Sequence, residues 1–295
     1  MMLFYFLEEK MVRQFRLLNE KGQEFNLMEL HKSCFLSEPD GLGYSYNTTY
    51  EKIGNSFVDT LRNMQQGQIN GIANFSNYDN FKKFVDYVES SEKLKFGYKI
   101  PYKNIPIKEY FKDVKIQSIE KGQIDIDGIL KCNIVFDCLS LWYEENKTIY
   151  TTSAQDREIR WNFRWDSKFV DYNNRILEYI NKGHVSAPVT VKIKGPVSKP
   201  KLTLKVEGNI YQEVLVNVDL KEYETFEYST QEKDFYIRKE NTDGTYTDLF
   251  DLEYIDPANN IIIKFPQNKS CELILSTEND ILSAEIVVYA YYKVV

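Results

Sequence analysis

Phe35-Leu36-Ser37-Glu38-Pro39-Asp40-Gly41-Leu42-Gly43-Tyr44 interrupts a start that otherwise reads as strand, and one short helical pattern and a long β remainder follow it. Proline fixes one backbone angle and removes a donor, while the glycines permit sharp turns or close approach by another chain. Local chemistry leaves two readings open, an ordinary loop or a segment shaped to meet a partner. The order of parts argues for a structural subunit more than for an enzyme.

Upstream, Val12-Arg13-Gln14-Phe15-Arg16-Leu17 leads into Asn19-Glu20-Lys21-Gly22, and Glu24-Phe25-Asn26-Leu27 resumes alternation, so a hairpin is expected. Downstream, Ser76 is expected to cap a helix, with Asp79 completing a capping box. Phe81, Phe84, Val85 and Val88 then form an apolar stripe at helical spacing, which implies a helix covering one side of a sheet. Lys93–Tyr98, Val114–Ile119 and Gly128–Phe136 read as strands whose connections are too short for helical crossovers, so an antiparallel sheet with one packed helix is expected.

Hydrophobicity falls at Glu144-Glu145-Asn146-Lys147 and at Thr151–Gln155, which divides the chain into domains at 1–150 and 151–295. The second half opens on the alternating Ile159-Arg160-Trp161-Asn162-Phe163-Arg164-Trp165 and continues through Val189–Pro196 and Leu202–Val206. Gly183, Pro188, Gly195-Pro196, Lys199-Pro200 and Gly208-Asn209 punctuate it. Asp243-Gly244 separates Phe235–Lys239 from Tyr246–Phe250 as in a hairpin, Ile261–Pro266 reads as a buried strand, and Ser283–Tyr292 closes the set. This is the pattern of a β-sandwich.

The 295 residues hold 43% hydrophobic and 27% charged side chains, enough for about two domains with sizeable cores and no extended disorder. A formal net charge of -7 disfavours a broad nucleic-acid or anionic-lipid surface, and Lys82-Lys83 has Asp79 and Asp86 beside it. The opening Met1–Lys10 lacks the marks of a secretory signal, and no run approaches the about 18 apolar residues of a membrane span. A soluble protein made in the cytoplasm is expected. Cys34, Cys132, Cys138 and Cys271 are dispersed and only His31 and His184 are available, so buried free thiols are expected and no metal site or cofactor.

In order, the first hairpin with Phe15, Pro39–Gly43, the Ser76–Val88 helix, Leu94-Lys95-Phe96 and Gly128-Ile129-Leu130 before Val135-Phe136 resemble the distal tail protein family of long-tailed, non-contractile bacteriophages. Gly183–Pro188, Gly195–Pro200, Asp243-Gly244 and Val287–Tyr292 resemble that family's galectin-like β-sandwich, so the resemblance covers residues 11–295. It implies a mainly β protein: an amino-terminal antiparallel domain with one packed helix, then a galectin-like sandwich. It further implies a homo-hexameric ring in the virion, at the distal end of the tail. There the ring joins the tail tube to baseplate or adhesion proteins, with the amino-terminal domains around the channel and the carboxyl-terminal ones outward. Exposed sheet edges of the first domain would be protected by neighbouring copies, and the assembly contacts are sought around the Phe35–Tyr50 segment, with Phe35, Leu36, Pro39, Gly41, Leu42, Gly43 and Tyr44 as candidates, and on the exposed side of the 76–88 helix.

The main alternative is a carbohydrate-binding module, with Trp161, Trp165 and Tyr236 as stacking faces. An enzyme is the third. His31 near Glu29, His184 near Glu178 and the pairs Glu144-Glu145 and Asp125/Asp127 place no nucleophile, base and orienter at a recognisable spacing, and Gly41-Leu42-Gly43 is not a phosphate-binding loop.

Overall fold

The computed structural model describes residues 13–100, 108–151, 174–251, 253–255, 260–278 and 283–295. Met1–Lys10 and the expected strand Ile159–Trp165, with Trp161 and Trp165, lie outside the described residues. The chain divides into two units, Met1–Glu144 with Tyr292–Val295, and Glu145–Tyr291. It is mainly β and antiparallel, with one helix among the described residues.

In the first unit, β1 (Gln14–Asn19) and β2 (Glu24–Asn26) form the expected hairpin, with Leu17 opposite Phe25. Asn19 builds its turn by accepting at Oδ1 from the amides of Lys21 (3.1 Å) and Gln23 (2.8 Å). Then follow β3 (Phe35–Asp40), β4 (Tyr46–Ile53), β5 (Ser56–Met64), β6 (Gln68–Phe75), α1 (Tyr78–Glu89), β7 (Leu94–Ile100), β8 (Lys108–Ile124), β9 (Leu130–Cys138) and β10 (Trp142–Thr151), which runs on into the second unit.

The expected strand at Val114–Ile119 is the middle of the 17-residue β8. Its first part pairs with β7 up to Val114 opposite Leu94, and its second part pairs with β9 from Val114 opposite Cys138 to Ile124 opposite Leu130. Register shifts after Ile116 and Lys121 mark bulges, which bend and twist a strand, so one strand serves both β2-β1-β7-β8 and β3-β6-β9-β8. Phe15, Leu17, Phe96, Phe75, Phe136 and Trp142 fill the core, with Phe96 5.6 Å from Phe136 and 6.2 Å from Trp142 between ring centroids.

Helix α1 starts one residue later than the sequence pattern predicts. Asn77, extended at φ -165°, is the cap: its Oδ1 accepts from the Asn80 amide at 2.8 Å, while the Ser76 hydroxyl accepts from Asn80 Nδ2 at 3.2 Å. With Asn77 as cap, Asp79 is displaced from the third helical position and no capping box forms. Phe84 is buried against Phe25 and Phe75, and Val88 is buried, so the expected stripe faces the core.

The second unit holds β11 (Asn174–Ile180), β12 (Ala187–Lys194), β13 (Val197–Ser198), β14 (Lys201–Val206), β15 (Asn209–Leu215), β16 (Asp219–Leu220), β17 (Thr225–Thr230), β18 (Phe235–Glu240), β19 (Tyr246–Asp248), β20 (Lys264–Phe265), β21 (Ser270–Ser276) and β22 (Ser283–Tyr292), whose last residue belongs to the first unit. The run β19-β18-β17-β12-β22 and the sheet β11-β21-β14-β15 enclose a core of Val189, Val191, Phe226, Leu202, Leu204, Leu273, Leu275 and Ile286. Their alternation along each strand is the sandwich pattern.

Ile261–Ile263 stays outside the ladder, and only Lys264–Phe265 pairs with β12. The reason is a buried side-chain bond: the Ile263 amide donates to the Tyr228 hydroxyl at 2.9 Å, and that hydroxyl donates to the Ile261 carbonyl at 2.8 Å. The four cysteines are free and buried, and burial pushes the Cys34 thiol up to about 12.

On the outward face of β17, Glu227 is 1% exposed beneath Lys192 and Arg238. Arg238 donates from Nε at 2.8 Å, and its guanidinium lies between Tyr236 and Tyr246, 4.1 and 3.8 Å from their ring centroids. Burial pushes the Glu227 pKa up, but hydrogen bonds from Lys192 and Arg238 outweigh it and hold the carboxyl below its ordinary value. A depressed folded pKa contributes stability that is present above the unfolded value of about 4.3 and lost as pH falls through the folded one. Glu227→Gln leaves two half-exposed cations that water can reach, so it is expected to cost about 1–3 kcal/mol at pH 7 and to flatten the loss of stability below about pH 4.3. Urea midpoints of the variant and the parent across pH 3–7 check this, and parallel acid limbs would contradict it.

Candidate functional site

The Phe35–Tyr44 segment is part strand. β3 pairs with β6, Phe35 opposite Asn74 and Ser37 opposite Ile72, and the register then shifts to Asp40 opposite Asn70. Glu38, at φ 51°, and Pro39 occupy this bulge, where a residue without an amide donor breaks no ladder bond. The structure does not gather the seven candidate residues into one exposed surface. Leu36 is buried, Leu42 packs on the core, Pro39 and Gly41 are half-buried, and Phe35, Gly43 and Tyr44 are exposed.

What the segment does is anchor. Gly41 has φ 78° and lies so close to β6 that an added Cβ would sit 1.8 Å from the Gln68 carbonyl oxygen. One residue on, the Leu42 carbonyl accepts from Trp142 Nε1 at 2.8 Å, and Trp142 is itself fully buried with the Lys112 ammonium 4.7 Å from its ring centroid. Tyr44 then meets Tyr46 edge-on at 5.5 Å, where β4 begins.

Beyond that anchor projects a ribbon, of which the expected contact segment Phe35–Tyr50 reaches only the first residues. β4 and β5 pair only with each other among the described residues, from Tyr46 opposite Met64 to Ile53 opposite Ser56, around Gly54-Asn55. Gly54 has φ 62° at the first central position, where a II′ turn places glycine. Every residue from Thr49 to Asn63 is exposed, including Tyr50 (62%), Ile53 (60%), Phe57 (69%), Val58 (45%) and Leu61 (54%). The register puts Leu61, Val58 and Ile53 on one face and Tyr50 and Phe57 on the other. The ribbon thus carries two edges without a strand partner among the described residues and apolar side chains on both faces. Gly-Asn between two strand-forming runs was the available signal.

The remaining candidates have structural partners. Tyr236 has one ring face against the Arg238 guanidinium. Asp125 Oδ1 accepts from the amides of Asp127 (3.1 Å) and Ile129 (2.9 Å) and so builds the β8–β9 turn. His31 and His184 are exposed, and among the described residues no group of three or more His, Cys, Asp or Glu is placed to hold a metal ion. No helix among them is long and apolar enough to cross a membrane.

The described residues thus form a sheet domain with one packed helix and a projecting ribbon, and a β-sandwich. Residues 14–139 match the family model of the distal tail protein, N-terminal domain. No curated protein matches the chain. A chain in the activated baseplate of phage P2 with Ca is similar over 97% of this chain and 100% of that one, at 15% identity and TM-score 0.65. The same baseplate with Sr gives 96%, 100%, 15% and 0.64. The Dit protein of phage SPP1, whose structure is described as a paradigm of the hub adsorption apparatus in phages infecting Gram-positive hosts, covers 93% and 98% at 13% identity and TM-score 0.51. These structures share the fold, and residues 14–139 match the N-terminal domain of the distal tail protein family.

Two glycines separate anchoring from turn geometry. At Gly54 an added Cβ meets nothing within 4 Å, so Gly54→Ala is expected to cost about 1 kcal/mol through its positive φ alone. Gly41→Ala adds a backbone collision and is expected to cost more than about 3 kcal/mol. Urea unfolding of both variants checks the difference, and equal costs would show that the Gly41–Gln68 contact gives way freely.

Proposed function

We propose that the chain is a distal tail protein that forms a ring by pairing ribbons: β4–β5 of one copy meets its counterpart in the next copy. The ring joins the tail tube to the baseplate or adhesion device, and the second unit, read as a galectin-like sandwich, faces outward. The observation that carries the reading is the exposed ribbon, whose edges have no strand partner among the described residues. A two-stranded ribbon is marginal in water and an open edge is a template for another strand, so a long apolar ribbon is stable and soluble in company. Closed rotational symmetry uses the same pair of edges in every copy and leaves none over. A hexamer is the order that the family resemblance implies, and synthesis in the host cytoplasm precedes incorporation in the virion.

Direct glycan contact has less support. Among its three residues Tyr236 is stacked by Arg238, and Trp161 and Trp165 lie outside the described residues.

Light scattering on purified protein over a concentration series tests the ring. A species near six times 34.9 kDa is expected, and Val58→Asp with Leu61→Asp, both on one exposed face and away from the core, is expected to shift it to monomer without lowering the unfolding midpoint. A parent protein that stays monomeric at every concentration, or a variant that assembles unchanged, would overturn the reading.

A further inference from the structure

Tyr292–Val295 belongs to the first unit, although the strand leading into it lies in the second. Three side chains hold it there. The Tyr292 ring meets Tyr110 edge-on at 5.3 Å, and its hydroxyl donates to Glu144 Oε2 at 3.2 Å, a carboxylate that also receives the Lys108 ammonium at 3.0 Å. Val295 packs against the core of the first unit. Between them, Lys293 Nζ donates to the Tyr46 hydroxyl at 2.9 Å and lies 5.6 Å from the centre of the same ring.

Tyr46 is the first residue of the projecting ribbon. Arg62, on the partner strand, has its guanidinium 4.3 Å from the Tyr46 ring centroid, and Tyr44 closes on the ring from the anchor side. Lys293 therefore contacts a ribbon ring that Arg62 of β5 and Tyr44 of the preceding segment also contact, at the point where the ribbon leaves the fold. Past this point the side chains are almost all exposed.

We propose that Tyr292-Lys293 is a clamp on the ribbon root, fixing the direction in which β4–β5 projects before a second copy is met. A two-stranded ribbon with solvent on both faces is held, among the described residues, only at its root, by the Gly41–Leu42 anchor on one side and Lys293 on the other, and ordering it during association would subtract from the binding free energy. Clamping the root transfers that cost to folding. The pairing role of the ribbon is the reading given above, while the clamp itself stands on the contacts of Lys293 and Tyr292.

Amide hydrogen exchange on the full chain, at a concentration below any self-association, tests the clamp independently of the ring. In Lys293→Ala the amides near the root, around residues 45–48 and 62–65, are expected to exchange about five- to tenfold faster, the loss of one hydrogen bond and one cation–π contact. Tyr46→Phe keeps the ring and loses the hydroxyl, so a smaller increase is expected. Amides of the β6–β9 pairing serve as the folding control and are expected to stay protected. Root exchange unchanged in both variants would overturn the clamp, whether or not the parent protein forms rings. Faster root exchange together with undiminished self-association of Lys293→Ala would overturn its preparatory role. A parent that never associates but shows the root effect would count against ring formation and leave the clamp in place.

Discussion

The exit of the ribbon from the first unit rests on the backbone of Gly41 lying against the Gln68 carbonyl. Only a residue without Cβ fits there, and the positive φ that the turn requires is also one that glycine adopts without strain. The contact seats Leu42 under the Trp142 indole, whose N–H takes the Leu42 carbonyl, so that a fully buried aromatic ring both fills the core and fixes the exit of the chain. From that point the chain turns out of the fold as β4 and returns as β5. An exposed element is thereby directed by a buried one. Clamping by Lys293 adds a second hold at the first ring of the ribbon.

Core and ribbon obey opposite rules. In the core β8 bends through two bulges to serve two layers, and apolar side chains on alternate positions meet across them. In the second unit the same alternation closes a sandwich, and the one acid buried on the outward face of β17, Glu227, is matched by Lys192 and Arg238. A carboxylate there would be costly alone, since burial raises its free energy more than any one surface contact offsets. The ribbon satisfies none of these conditions within one chain. It exposes apolar residues on both faces, the kind of surface that the ring proposed above would cover.

Much of the fold was legible from residues alone because periodicity and turn chemistry are local. Asn19–Gly22, Asp243-Gly244 and the Phe84/Val88 stripe each announced their element, and each is found where expected. The helix cap was off by one because Ser76 and Asn77 are both good acceptors and only geometry chooses between them. Ile261–Ile263 read as strand because apolarity does not reveal that a tyrosine hydroxyl 35 residues away in sequence takes the Ile263 amide. At the candidate site, Pro39, Gly41 and Gly43 drew attention for a sound reason, the unusual backbone, but backbone constraint marks an anchor as readily as a contact surface. The ribbon was missed as a pair of strands, although the expected contact segment Phe35–Tyr50 reaches its first residues. Its strands mix Thr, Asn, Lys and Asp with aromatic residues, so they lack the clean alternation of a half-buried strand, and its Gly54-Asn55 turn is a short signal beside the longer Pro/Gly segment. The return of Tyr292–Val295 to the first unit is a long-range event that no local pattern encodes.

Cross-linking of an equal mixture of light and isotope-labelled protein tests ribbon-mediated assembly most directly, because mixed-isotope products report contacts between copies alone. Lys52 stands on the ribbon close to Gly54-Asn55 and is exposed. A ring built through the ribbon gives mixed-isotope links from Lys52 to a lysine of a neighbouring copy, abundant in the assembled fraction and absent from the monomer. Links between copies that run through other lysines while Lys52 forms none would place the assembly surface elsewhere and contradict the ribbon's role.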